Sequence, residues 1–84
     1  MKGYTTNLFN NEVYVVLVDE TIAHSNEEII KRTQEIDAKL LNVDKKYVVL
    51  ASKINGKIQF ICGQKVFIEK LEANKDLSIN WFSI

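Results

Sequence analysis

The sequence predicts an α+β fold, a small two-layer βαββ(α)β domain with one mixed sheet of three to five strands and one main helix packed on it. Three observations predict this class: an uninterrupted apolar run at residues 12–18, helical periodicity over residues 25–41, and an Asn55-Gly56 pair between two strand-like segments. A chain of 84 residues is too short for two ordinary domains, so we expect a single domain over residues 1–84.

The first strands are predicted on either side of a short turn. Glu12–Val18 is a run of β-branched and aromatic residues of strand length. A strand that is apolar at successive positions is usually buried on both faces, so this one is expected at the centre of its sheet. Tyr4–Phe9 also has strand character, and Asn10-Asn11 is expected to close a hairpin between the two strands.

A helix is predicted after a loop over Asp19–His24. Ser25 and Glu28 form an S-x-x-E pattern, which is typical of a capping box at a helix N-terminus. Apolar positions then recur at spacings of four, three and four, and this stripe is predicted to face the sheet. The stripe consists of Ile29, Thr33, Ile36 and Leu40, and Ile30 and Leu41 widen it.

A second hairpin follows a short polar connection at Asn42–Lys46. Tyr47–Ser52 and Lys57–Cys62 are predicted as strands, and the Asn55-Gly56 pair between them favours a turn in which both central residues have positive φ. The path from the first apolar strand through the helix to the next strand is predicted to be a parallel, right-handed crossover.

The last third of the chain permits two interpretations at one segment. Gln64–Asn74 is predicted as a short helix with Val66, Phe67 and Leu71 facing the sheet, and a strand through residues 66–68 is the alternative. Leu77–Ile84 alternates with a period of two residues, which is typical of an edge strand.

Composition excludes several classes of protein. Eleven basic residues balance eleven acidic ones, so the chain cannot bind nucleic acid through bulk positive charge and has only a local patch to offer. The sequence shows neither an apolar run of about 20 residues nor a signal-peptide core, which predicts a cytoplasmic protein without membrane contact. One cysteine and one histidine cannot build a disulfide or a metal-ligand cluster, so neither metal nor cofactor is expected.

Candidate catalytic residues are few, and none is predicted to act. His24 lies in a loop without an identifiable partner, and the adjacent Asp19 and Glu20 would point to opposite sides of an extended chain. Cys62 ends an apolar strand, where a buried structural thiol is expected. Phosphate-binding, hydrolase and metalloprotease motifs are missing from the sequence. A small enzyme built around His24 and Asp19 is therefore the least favoured of the functional hypotheses.

Lysines surround the second predicted hairpin, on its turns and strand ends. A lysine-bearing hairpin can contact phosphate without reading sequence. The alternative is that these lysines serve solubility and block edge-to-edge aggregation. The candidate phosphate contacts are Lys45, Lys46, Lys53, Lys57 and Lys65.

The order of these elements resembles a known family. Glu12–Val18, a helix ending in Asp37-Ala-Lys-Leu40, and Tyr47–Gly63 with its V-V-L-A-S and N-G-K segments are similar to the DHH-associated domain at the C-terminus of alanyl-tRNA synthetases and DHH phosphoesterases. The family's glycine-rich segment has no counterpart in this chain, so none of its residues can be carried over. The resemblance implies an accessory tRNA- or RNA-contacting module of the synthetase type that is not catalytic by itself.

The alternative hypothesis is a protein-interaction module. It would be a homodimeric subunit, an inhibitor protein of a phage or mobile element, or an accessory to a larger protein partner. The predicted edge strand near the C-terminus would supply the surface, since an exposed edge is a site of strand pairing that dimerisation would cover. The candidate interface residues are Leu77, Ile79, Trp81 and Phe82.

Overall fold

A computed structural model describes residues 1–74 and 76–84 of the chain. In chain order the elements are β1 (Lys2–Leu8), β2 (Asn11–Val18), α1 (Glu20–Ala23), α2 (Glu27–Leu41), a 3₁₀ turn (Lys45–Tyr47), β3 (Val48–Ile54), β4 (Lys57–Cys62), α3 (Lys65–Ala73) and β5 (Ile79–Ser83). Within the described residues, the strands form one mixed sheet in the order β4-β3-β2-β1-β5. The predicted α+β class with a single mixed sheet is therefore confirmed.

The centre of the sheet is the parallel pair of β2 and β3. Their register runs from Tyr14 opposite Val48 to Val18 opposite Ser52. Adjacent residues such as Val15 and Val16 point to opposite faces of the sheet, and both are fully buried. The predictions of a central, doubly buried strand and of a parallel crossover are both confirmed.

The two longer helices lie on opposite faces of the sheet. Val16, Val48 and Leu50 pack with Ala38 of α2 in one apolar cluster. The second cluster joins side chains on the other face of β1, β2 and β3 to α3. Its members are Tyr4, Leu8, Val13, Val15, Val49, Ala51, Phe67 and Leu71. α3 thus adds a helical layer on the face of the sheet that α2 does not cover.

The segment before β5 is helical, in agreement with the first of the two interpretations. Phe67 and Leu71 are buried, but Val66, which the sequence predicts to face the sheet, is 47% exposed. Phe67 and Leu71 are four residues apart and share one face of α3, whereas Val66 lies about 100° away around the helix axis.

The face that α2 turns toward the sheet differs from the predicted one. Ile29, Ile36 and Leu40 are 46%, 51% and 63% exposed. The prediction that the stripe packs on the sheet is therefore wrong for these three residues, whereas Ile30 and Leu41, which widen it, do face the sheet. Gln34 and Ala38 share that side of α2.

Two side chains account for this orientation of α2. Ala38 is 3% exposed, and its small side chain lets the helix lie close to the strands. The Gln34 amide Nε2 donates to the carbonyl oxygens of Val48 at 2.8 Å and Lys45 at 3.2 Å. Turning the predicted stripe to the sheet would remove both bonds, and a buried carbonyl oxygen without a partner is costly.

The start of α2 also differs from the prediction. Asn26 is the cap, because its Oδ1 accepts the Ile29 N–H at 3.0 Å. The Ser25 hydroxyl instead donates to the Thr21 carbonyl oxygen at 2.8 Å, two residues beyond the end of α1. Residues 19–24 are therefore not the predicted loop, since Asp19 caps a short helix by accepting the Thr21 N–H at 2.9 Å.

Both hairpin turns use residues with positive φ. Asn55 and Gly56 have φ of 53° and 77°, which confirms the predicted turn between β3 and β4. The turn between β1 and β2 consists of Phe9 and Asn10, with φ of 52° and 64°, one residue earlier than predicted. Asn11 is therefore the first residue of β2 and pairs with the last residue of β1.

β5 is an edge strand, as predicted, and pairs antiparallel with β1. It begins at Ile79, and Leu77 precedes it and packs against the α3-side cluster. The two chain ends meet beside this pair: the Met1 ammonium donates to the Ile84 carbonyl oxygen, and the Ile84 N–H donates to the Met1 carbonyl oxygen at 2.6 Å.

The orientation of α2 can be tested with one substitution on each of its faces. Ala38→Asp buries a charge without a partner and is expected to lower the free energy of unfolding by about 3 kcal/mol. Ile36→Asp places the same side chain in solvent and is expected to change it by no more than about 1 kcal/mol. Urea denaturation of dilute protein, followed by circular dichroism, measures both values. The reverse order of effects would show that the predicted stripe faces the sheet after all.

Candidate functional site

A shallow apolar groove lies beside β5 on the α3 side of the sheet. Trp81 is 57% exposed, and its ring meets the Tyr4 ring edge-on with centroids 5.2 Å apart. Ile79, two residues earlier on the same face, is 41% exposed. This Trp81 groove has a volume of about 180 Å³ and is lined by Tyr4, Ile58, Leu71, Asn74, Leu77, Ile79 and Trp81.

The groove brings together three of the four residues predicted for a protein interface. Leu77, Ile79 and Trp81 all line it, as their alternation along the chain indicated. Phe82 does not, because it points to the other face of the sheet, where its ring lies 6.3 Å from that of Tyr14. Phe82 is half-buried there and packs against the cluster under α2.

β5, which carries Ile79 and Trp81 of this groove, is an edge strand of the sheet. β5 pairs with β1 from Ser83 opposite Lys2 to Ile79 opposite Thr6, and no strand of the described part of the chain lies on its other side. The Thr6 hydroxyl donates to the Ser78 carbonyl oxygen at 2.8 Å and so positions the entry to the strand. Unpaired N–H and C=O groups along an edge are a template for another strand.

The five predicted phosphate contacts do not form one patch. Antiparallel pairing puts the start of β3 beside the end of β4, so Lys45, Lys46 and Lys65 lie at one end of this hairpin. Lys53 and Lys57 flank the turn at the other end. Strands of six or seven residues separate the two groups by roughly 20 Å.

The first group of lysines borders a cleft between α2, the 3₁₀ turn and the start of α3. This lysine cleft has a volume of about 390 Å³ and is lined by Lys31, Gln34, Asp44, Lys45, Lys46, Cys62, Gly63 and Gln64. The Nζ of Lys45 lies 3.3 Å from a Glu35 carboxylate oxygen, and that of Lys46 lies 5.1 Å from the centre of the Tyr47 ring. Exposed pairs of this kind contribute at most about 1 kcal/mol, so these lysines can turn toward another anion.

Lys65, at the rim of the lysine cleft, also has an acidic neighbour. Its Nζ lies 3.8 Å from a Glu69 carboxylate oxygen one turn along α3. Lys31, on the opposite wall, is paired with Glu27 at 3.0 Å. Lys31, Lys45 and Lys65 therefore each have an acidic neighbour, whereas Lys46 lies over the Tyr47 ring.

Sequence reasoning missed Gln34 and Lys31 as parts of the cleft. Besides donating to β3 and the 3₁₀ turn, Gln34 accepts a hydrogen bond from the Cys62 thiol, with Sγ and Oε1 3.4 Å apart. It thereby ties α2 to β4 at the floor of the cleft. The spacing of four and three residues from Gln34 to Ala38 and Leu41 would have placed Gln34 on the same face of the helix as these two residues.

The residues considered for catalysis do not all meet at one site, although His24 lies near Glu20. Asp19 and His24 occupy the two ends of α1, and the exposed His24 imidazole lies 3.7 Å from Glu20. The hydrogen bond from Thr21 lowers the pKa of the Asp19 carboxyl. Burial raises the pKa of the Cys62 thiol, and the nearby Lys31 offsets part of that rise.

Metal-ligand clusters and membrane-spanning helices are both missing from the described residues. No group of three or more His, Cys, Asp or Glu side chains within residues 1–74 and 76–84 is arranged to hold a metal ion. None of the helices in the same ranges combines the length and the apolar character needed to cross a bilayer.

Comparison of the chain with protein-family models, with curated proteins and with solved structures found no match.

The raised pKa of Cys62 predicts slow alkylation. The thiolate is the reactive form, so the native protein should react with iodoacetamide at neutral pH more slowly than the protein in urea, and its rate should rise at higher pH. Because the folded state favours the protonated thiol, the stability that Cys62 contributes is present below the ordinary thiol pKa and is lost as the pH rises above it. Equal native and urea rates across the pH range would contradict this assignment.

Proposed function

We propose that the chain is a non-catalytic protein-interaction module that accepts an extended strand of a partner protein along the free edge of β5. The observation that carries this proposal is Trp81, a tryptophan 57% exposed on an edge strand beside an apolar groove. Tryptophan is enriched among the residues that contribute most to binding at protein interfaces.

The chemistry of β5 supports strand addition. Its five residues, Ile79–Ser83, include no charged side chain. Natural sheets usually protect an edge with lysines, bulges or covering segments. The opposite edge follows that rule, since β4 begins with Lys57 and its pairing with β3 contains a register shift near Leu50. β5 is thus the edge that lacks such protection.

The groove is suited to a side chain of that strand. A strand paired with β5 would alternate its side chains between the two faces of the sheet, and every second one would lie beside Ile79 and Trp81 on the α3 side. A volume of about 180 Å³ is below the 300–1,000 Å³ usual for small-molecule pockets. An apolar side chain of the added strand is therefore the expected occupant.

Trp81 provides the readout for a test, because it is the only tryptophan in the sequence. Peptides selected on the protein from a phage-displayed random library are expected to be extended and apolar at alternate positions. Their binding should shift the Trp81 emission to shorter wavelength. Ile79→Lys should weaken binding about tenfold or more, as expected for a charge placed at a desolvated contact.

The matched control is Lys57→Ala on the opposite edge, which should bind the selected peptides as the unsubstituted chain does. Failure to enrich any peptide, or equal binding by Ile79→Lys, would contradict strand addition at β5. A blue shift that grows with protein concentration in the absence of peptide would identify a second copy as the added strand.

Contact with RNA is a second candidate function, and the convergence of lysines at one cleft favours it. Lys31, Lys45 and Lys46 line the lysine cleft, and Lys65 follows its lining residue Gln64. An accessory, non-catalytic contact with tRNA phosphates, as the resemblance to the DHH-associated domain implies, would use this end of the hairpin. Net neutrality of the chain limits the expected affinity.

Titration with tRNA at several salt concentrations tests this candidate. Binding should weaken as salt rises, and replacing Lys45, Lys46 and Lys65 by alanine should reduce the slope of log K against log salt by about 0.7–0.9 for each phosphate that is no longer neutralised. The control pair, Lys53→Ala with Lys57→Ala, should leave the slope unchanged. No binding at low salt, or an equal reduction of the slope in the two variants, would remove the lysine cleft as an RNA site.

A further inference from the structure

The outward face of α2 carries an apolar stripe without a partner in the described structure. The α2 stripe consists of Ile29, Thr33, Ile36 and Leu40. Its spacings of four, three and four are those of the a and d positions of a coiled coil. A helix whose opposite sides are both apolar is usually covered on both sides, and the sheet covers only the side with Ala38.

Thr33 fits such an arrangement despite its hydroxyl. The Thr33 Oγ1 donates to the Ile29 carbonyl oxygen at 2.9 Å within the helix. Its hydrogen-bonding requirement is therefore met without a partner chain. The methyl group is left to continue the apolar surface between Ile29 and Ile36.

The charged residues nearest the stripe differ in sign between its two flanks. At 100° per residue, Arg32 and Lys39 lie along one flank, with Glu28 and Glu35 farther from the stripe on the same side, and Asp37 lies along the other flank. Within the described residues Arg32 makes no ion pair, whereas its neighbour Lys31 is already paired with Glu27. Asp37 is half-buried beside the stripe. Burial raises the pKa of its carboxyl, the Met1 ammonium offsets part of that rise, and a further cation brought to it would be stabilising.

We propose that two copies of this chain associate through their α2 stripes, with the two helices parallel and Arg32 of each copy facing Asp37 of the other. In a parallel pair the basic flank of one helix meets the acidic flank of its partner, and positions five residues apart come together. In an antiparallel pair like flanks would meet, which would bring Arg32 toward Lys39. The charge pattern thus selects both the occupant and its direction.

This association uses a surface separate from β5 and does not depend on the proposed strand addition. Zero net charge means that two copies approach without long-range repulsion. Most stable complexes bury about 800 Å² on each partner. A stripe of four residues offers a smaller area, so a weak dimer is expected. Association should therefore be measured up to high protein concentration.

Sedimentation equilibrium of the full chain tests the dimer. Arg32→Glu and Asp37→Arg should each weaken dimerisation about tenfold, and the double variant should recover it because the reversed charges again face each other. Ile36→Asp should abolish dimerisation, while Ile79→Lys and the charge control Lys57→Glu should leave it unchanged. Circular dichroism checks that each variant is folded.

Disulfide crosslinking tests the direction of the helices. Leu40→Cys in a Cys62→Ser background should form a covalent dimer, because parallel pairing brings the two copies of residue 40 together. In an antiparallel pair residue 40 would face residue 29, and the eleven intervening steps of about 1.5 Å would leave the two cysteines roughly 16 Å apart, beyond disulfide reach. Strictly monomeric protein, no crosslink at residue 40, or a dimer lost in Ile79→Lys but kept in Ile36→Asp would each overturn the proposal.

Discussion

The parallel pairing of β2 with β3 is the constraint on which the other elements depend. Both strands are apolar at successive positions, so each needs cover on both faces of the sheet. A parallel connection requires a long crossover, and α2 supplies it while covering one face. The other face has to be covered by a segment later in the chain, and α3 does this with Phe67 and Leu71. The remaining strands extend the sheet outward from this pair.

Sequence reasoning succeeded where a local rule decides the structure. The run at β2 and the Asn55-Gly56 turn were predictable because burial on both faces and positive φ are properties of the residues themselves. The orientation of α2 was not, because two apolar stripes lie on the same helix and the choice between them depends on Gln34 meeting carbonyl groups that only the folded chain brings near. The separation of the lysines likewise follows from strand pairing rather than from spacing along the chain.

The outer surfaces divide into charged and apolar regions according to the element that supplies them. Turns and helix starts hold the lysines and their acidic partners, whose exposed pairs contribute little to stability. β5 and the outward face of α2 instead present large apolar side chains.

The meeting of the chain ends beside β1 and β5 has a further consequence. Because Met1 and Ile84 exchange backbone hydrogen bonds, a short linker could join them without disturbing the sheet, and new ends could be opened at the exposed Asn55-Gly56 turn. The same closeness makes the fold suitable for insertion into a surface loop of a host protein, since both connections would leave from one point. In such a fusion the domain would be joined to the host at one point, and the β5 edge and the outward face of α2 would both stay exposed.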